Sequence, residues 1–244
     1  MKKFQIIKSG DIMRAIILAA GKGTRLRPLT ENIPKPLVKV NGKPIIERQI
    51  ECLIEKGIQE IIIVTGYLAE QFNYIQKKYD YINIKLVHNE NYDKFNNIYT
   101  MYLVKEYLKD TYVLDGDIYI NRNFIKSNIK ESTYFGINKN NFQDEWIIYE
   151  QNNRIVNINL ESAVNEYKVI LSGVSYWSAK DGILIKDILK ETLKTNMWTN
   201  LYWDNIVKDN LNKVDVFLFK INSNDCFEID NLKDLKKVEK LVLA

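Results

Sequence analysis

The first half of the chain alternates short apolar runs with segments of helical period, and few folds accommodate that order. Residues 14–21 (RAIILAAG), 60–65 (EIIIVT) and 112–114 (YVL) are nearly continuous in apolar character and read as buried strands; residues 84–87 read as a fourth. Between them, Pro44 opens a helix with Ile45, Ile46, Ile50, Leu53 and Ile54 on one face, and Gly57 closes it. Residues 68–79 are helical in pattern. So is 97–108, with Ile98, Met101, Tyr102 and Lys105 at helical spacing. Strand and helix in alternation imply an α/β fold, with a parallel sheet covered on both faces.

The second half changes texture. Residues 145–150 and 154–159 flank the turn Gln151-Asn152-Asn153 and predict a hairpin, and 169–177 predicts a further strand. Helices are expected over 180–194, 198–211 and 231–242, with short strands at 214–220 and 226–229. No repeat, low-complexity tract or linker interrupts the chain. The expectation is one domain over 13–244, with β elements inserted after residue 118, preceded by an extension of residues 1–12.

Composition narrows the function classes. The 244 residues are 46% hydrophobic, enough for a full core, and the net charge is only +4. With no long Lys/Arg run and no helix face read as a cationic stripe, neither nucleic acid nor a membrane surface is an expected partner. Cys52 and Cys226 have no metal or redox spacing and read as reduced core thiols. Apolar runs of about five residues are far below the roughly 20 needed to span a bilayer. With no signal-peptide pattern, the expected location is the cytoplasm.

Chemistry concentrates behind the first strand, at 19–36 (AAGKGTRLRPLTENIPKP). The stretch lacks the G-K-[ST] of a P-loop and the third glycine of a dinucleotide fingerprint, which disfavours an oxidoreductase. Gly21 and Gly23 let the backbone approach a ligand and direct N–H groups at it. Arg25 offers a planar donor fork for phosphate oxygens. Pro34 and Pro36 are expected to hold Lys35 in an extended segment. Such a loop suits a triphosphate; a solvated turn with ordinary surface cations is the plainer alternative.

Asp115 and Asp117 follow the third strand at a spacing that puts both on one face if the strand continues. Asp230, in FEID, could supply a distant carboxylate for a hard cation; a simple turn is the alternative for DGD alone. The lone histidine, His88, reads as structural. Aromatics stand beside acids at Glu145-Trp146, at Tyr202-Trp203-Asp204 and at Phe227-Glu228. Aromatic faces with nearby carboxylates attract a cation, above all a quaternary ammonium, although Trp and Tyr also serve simply as packing.

The motif G-x-G-T-R-L-x-P-x-T with a following P-K-x-L resembles the signature of the nucleotidyltransferases that make NDP-sugars and CDP-alcohols. Beyond it, FNNIYTMYLVKE (95–106), LSGVSYW (171–177), LYWDNIVKDN (201–210) and FEID (227–230) resemble the bacterial choline-phosphate cytidylyltransferases. The resemblance covers about residues 14–240. It implies a Rossmann-like three-layer αβα nucleotidyltransferase fold with a mostly parallel mixed sheet and a small β-rich insertion. It implies transfer of a cytidylyl group from CTP to phosphocholine, with Mg²⁺, giving CDP-choline for decoration of cell-surface glycans. Nucleotide would be bound by Ala19, Ala20, Gly21, Gly23, Thr24, Arg25, Lys35, Gly66 and Tyr67, with Arg25 and Lys35 on the phosphates. Asp117 and Asp230 would share the metal, with Asp115 a weaker assignment. Lys35, Arg25 and Asp117 would be the catalytic residues, and Trp146, Tyr202, Trp203, Asp204 and Glu228 the choline end. Phosphoethanolamine, 2-aminoethylphosphonate or a sugar 1-phosphate are alternative acceptors. A regulator without catalysis would be expected to lack a metal acid or the loop lysine, and this chain has them. A monomer or a homodimer is expected.

Overall fold

The structure, a computed structural model, describes residues 13–242. The extension expected at 1–12 lies outside the described residues. The first half comprises β1 (Arg14–Ala19), β2 (Lys39–Val40), β3 (Lys43–Pro44), α1 (Ile45–Glu55), β4 (Glu60–Thr65), α2 (Asn73–Lys78), β5 (Asn83–His88), α3 (Asn97–Leu103) and β6 (Thr111–Asp115). Then follow β7 (Ile118–Ile120), β8 (Thr133–Lys139), β9 (Phe142–Gln151), β10 (Arg154–Ala163), β11 (Lys168–Trp177), α4 (Ala179–Thr192), α5 (Trp203–Lys208), β12 (Phe217–Lys220), β13 (Cys226–Glu228) and α6 (Leu232–Val242).

A nine-stranded sheet has the order β5-β4-β1-β6-β11-β8-β12-β10-β9 among the described residues. The strands of the first half, β5, β4, β1 and β6, pair in parallel. Beyond β6 the pairing is antiparallel except for β12 against β8. The sheet is therefore mixed, and the β-rich part after residue 118 continues it rather than standing apart.

Period-2 geometry explains the three layers. On β1, Ala15, Ile17 and Ala19 pack with Ile46, Ile50 and Leu53 of α1. Ile16 and Leu18 point to the other face, with Ile98 and Met101 of α3, Ile185 and Leu189 of α4, and Ile206 and Val207 of α5. Continuous apolar strands are what two covered faces demand.

Several elements differ from expectation. Lys35 opens a 3-10 turn over Lys35–Leu37, so only Pro34 is extended (φ −55°, ψ 141°). The helix expected over 97–108 ends at Leu103, and a 3-10 turn follows at Lys105–Tyr107. The helix expected over 198–211 shrinks to Trp203–Lys208. Tyr202 is extended there, and its N–H donates to Asn205 Oδ1 at 2.8 Å. Trp198 instead packs on Phe95, ring centroids 4.6 Å apart. Strands β7 and β8 carry no clear period and were not expected. Helix α6 does carry a cationic stripe: Lys233, Lys236, Lys237 and Lys240 are exposed at i, i+3, i+4, i+7 spacing.

Candidate active site

The glycine loop lies at the carboxyl end of β1, where open α/β sheets bind their ligands. Gly23 is left-handed (φ 60°), and a Cβ there would sit 2.8 Å from Lys35 Cβ. Only glycine allows Lys35 to pass so close. Thr30 Oγ1 donates to the Gly23 carbonyl at 2.7 Å and closes the loop. Leu26 is wholly buried with Val38, Ile45, Ile229 and Leu235, which anchors the loop to α1 and α6.

Two strand ends meet the loop. β7 and β13 pair antiparallel, with Ile118 opposite Glu228, and Ile229 N–H donates to the Asp117 carbonyl at 3.2 Å. DGD and FEID are thereby brought together across more than a hundred residues of sequence. Ile229 is fully buried while Glu228 and Asp230, two apart, face the opposite side.

Lys35 Nζ lies 2.6 Å from Asp117 Oδ2 and 2.6 Å from Asp230 Oδ1, with its side chain only 10% exposed. Arg25 Nη1 reaches Asp230 Oδ2 at 2.8 Å but is largely solvent-facing. Burial alone would lower the Lys35 pKa, but the two carboxylates outweigh it, and the net direction is upward. Lys35 is thus a fixed cation.

Carboxylate oxygens of Asp117, Glu228 and Asp230 lie within 4.8 Å of one another. Three hard oxygen donors fit a divalent cation such as Mg²⁺, which takes few protein carboxylates and keeps its remaining positions for water and phosphate. Asp115 is not in that group. Burial first, then Asp117, Asp204 and Glu228, pushes its pKa well above the ordinary 3.8.

A cavity of about 1210 Å³ opens over this centre. Its lining combines the glycine loop and Lys35 with the acids Asp117, Glu228 and Asp230, and with Trp146, Tyr202, Trp203 and Asp204. Trp146 and Tyr202 meet edge to face at 6.5 Å, and Tyr202 is 48% exposed. Asp204 accepts a hydrogen bond from Tyr134 Oη at 2.8 Å. Burial raises the Asp204 pKa to about 6, against the opposing effect of that bond. Glu228 is exposed to solvent, yet desolvation by the surrounding protein, then Asp117, Asp230 and Glu145, push it up to about 8, with Lys35 opposing.

Not every predicted residue stands where expected. Gly66 and Tyr67 do not line the cavity. Tyr67 N–H donates to the Ala20 carbonyl at 3.0 Å and its Oη to the Glu31 carbonyl at 2.7 Å, so it braces the loop from behind. Trp203 is 2% exposed and packs edge-on against Trp177 at 5.6 Å, so it is mainly core. Glu228 falls among the metal-suited acids rather than against the aromatics. The signal for it was available in FEID, where i, i+2 spacing puts Glu228 and Asp230 on one face. Tyr134, and Tyr92, Asn96 and Asn97 along the cavity wall, were not anticipated.

A glycine loop at the ends of parallel strands, facing clustered carboxylates bridged by a lysine, defines a site for phosphoryl chemistry on a nucleotide. The chain belongs to the nucleotidyl transferase family, whose model matches residues 14–141. It is 44% identical to a choline-phosphate cytidylyltransferase of Streptococcus pneumoniae over 94% of this chain and 98% of that one. It is 38% identical to a choline-phosphate cytidylyltransferase of Haemophilus influenzae, over 91% of this chain and 94% of that one. A solved CTP:phosphocholine cytidylyltransferase from Streptococcus pneumoniae superposes with a TM-score of 0.89, covering 94% of this chain and 99% of that one.

Proposed function

We propose that the protein transfers the cytidylyl group of CTP to phosphocholine, releasing CDP-choline and pyrophosphate. The observation that carries this reading is the pairing, in one cavity, of a phosphate loop with an acid-rich end rimmed by Trp146 and Tyr202. A phosphate monoester bearing a cation needs both. The identity to choline-phosphate cytidylyltransferases over nearly the whole chain supports the same acceptor.

An acceptor phosphate oxygen attacks the α-phosphorus of CTP, and the bond from that phosphorus to the bridging oxygen breaks as pyrophosphate leaves. A phosphate monoester is already a nucleophile, so no general base is required. The Ala19–Arg25 loop holds the triphosphate through backbone N–H groups. Lys35 stabilises negative charge that grows on the non-bridging and leaving oxygens, and Arg25 does so from the rim. Asp117, Asp230 and Glu228 would hold Mg²⁺, which supplies Lewis-acid stabilisation of the same charge. Trp146 and Tyr202 offer aromatic faces to the trimethylammonium, and Asp204 its countercharge. No described helix is long and apolar enough to cross a membrane; soluble substrates suit work in the cytoplasm, upstream of cell-surface glycan decoration.

Pyrophosphate release from CTP and phosphocholine in the presence of Mg²⁺ tests the chemistry. Asp117→Ala should fold and lose at least about a hundredfold in kcat. A folded Asp117→Ala protein with full turnover would remove Asp117 from the centre.

A further inference from the structure

The turn that carries Asp117 is held from behind by a buried amide. Gln49 lies on α1, is fully buried, and is not among the cavity-lining residues. Its Nε2 donates to the carbonyl of Asp115 at 2.8 Å and to that of Ile118 at 2.8 Å. These two carbonyls bracket Gly116 and Asp117. Both neighbours are acceptors, so the amide nitrogen must face them. Among the described residues, Gln49 Oε1 is buried without a hydrogen-bond partner, which is unfavourable. Methionine or leucine would fill the space without that cost, so the amide's contribution lies in the two bonds it donates.

The opposite side of the turn is fixed as well. Gly116 N–H donates to the Leu18 carbonyl at 2.9 Å, and a Cβ at 116 would stand 2.8 Å from that oxygen. The neighbouring Arg48 donates from Nε to the Ile120 carbonyl at 2.7 Å and from Nη2 to the Asn121 carbonyl at 3.1 Å. Helix α1 therefore grips the chain on both sides of Asp117, and along β7, whose partner β13 leads to Glu228 and Asp230.

We propose that Gln49 is a positioning residue. Through the Asp115 and Ile118 carbonyls it sets where the Asp117 carboxylate stands relative to Lys35, Glu228 and Asp230. The inference rests on the reading of Asp117 as a metal-holding acid. Groups that orient a metal ligand from behind typically matter by about 10–100-fold in affinity or activity.

Gln49→Met keeps the volume and removes both donors. Amide hydrogen exchange over 115–118 should quicken by about tenfold while β1 and β4 keep their protection. In the same variant kcat should fall by about tenfold, with KM for phosphocholine within about twofold of wild type. Gln49→Glu provides a second readout. Its neutral acid can donate one bond and its carboxylate none, so kcat should fall as pH rises through its titration, a dependence absent from wild type. Unchanged exchange over 115–118, or faster exchange with unchanged kcat, overturns the role of Gln49. Wild-type protein without turnover would instead sink the cytidylyl-transfer reading, and the exchange comparison would still judge Gln49's hold on the turn.

Discussion

Lys35 has two acid partners at 2.6 Å, so the loop lysine and two of the metal-suited acids, Asp117 and Asp230, form one ion-paired unit in which carboxylate exceeds ammonium. Asp204 is the contrasting residue, a carboxylate with a tyrosine rather than a cation as its hydrogen-bond partner. Its folded pKa of about 6 lies above the ordinary 3.8, so the folded state holds that proton more tightly than the unfolded chain. The stability this gives at low pH is lost as pH rises through about 6. Asp204→Asn keeps an acceptor for Tyr134 and removes the charge. It should raise Tm relative to wild type at pH 8 and not at pH 4.5, which thermal melts at the two pH values would read. In activity the sign reverses. The kcat/KM for phosphocholine should rise with pH as Asp204 ionises, and Asp204→Asn should lose the part of that rise not due to the substrate phosphate. Equal profiles in the two proteins would exclude Asp204 as the countercharge. Its pairing with Tyr134, 70 positions away, has no trace in local sequence. Asp204 itself is legible because it sits beside two aromatics.

Elements deliver these residues with different degrees of legibility. The glycine loop could be read directly, because its left-handed Gly23 and its phosphate-suited cations lie within one short stretch. Gly23→Ala should cost about 1–2 kcal/mol from the left-handed backbone, a fall of about 2–8 °C in Tm for a chain of this size, and should weaken CTP binding further by displacing Lys35. Calorimetric melts with and without CTP would separate the two effects. An unshifted Tm would mean the loop can relax. The buried strands of the first half were legible from continuous apolar runs. β7 was harder, since three residues give no period, whereas β13 falls within the strand expected at 226–229. Yet their pairing places Asp117 beside Glu228 and Asp230. Trp198 and Tyr202, four apart within the helix expected over 198–211, are not joined by a helical turn, and α5 begins at Trp203. Trp198 in fact packs with Phe95, and Asn205 caps the chain at Tyr202. Spacing alone cannot distinguish an aromatic clasp from a helical turn.

Across the whole molecule, two covered sheet faces hold the framework, and β1 ends at the glycine loop that lines the cavity. The antiparallel extension through β9 and β10 supplies the other wall, including Trp146. On the proposed reading, nucleotide and acceptor are held by different walls of one cavity. That division predicts separable effects. Trp146→Ala should raise KM for phosphocholine by about tenfold and leave KM for CTP nearly unchanged, as steady-state kinetics would show; a matching rise for CTP would contradict the assignment of the walls. The central claim is that the acid-rich, aromatic-rimmed end selects a quaternary ammonium on a phosphate monoester. The most direct measurement is pyrophosphate release with Mg²⁺ across CTP, UTP, dTTP and ATP, each against phosphocholine, phosphoethanolamine, 2-aminoethylphosphonate and glucose 1-phosphate. Release confined to CTP with phosphocholine is the predicted result. Equal or faster release with an unmethylated amine or with the sugar phosphate would contradict it.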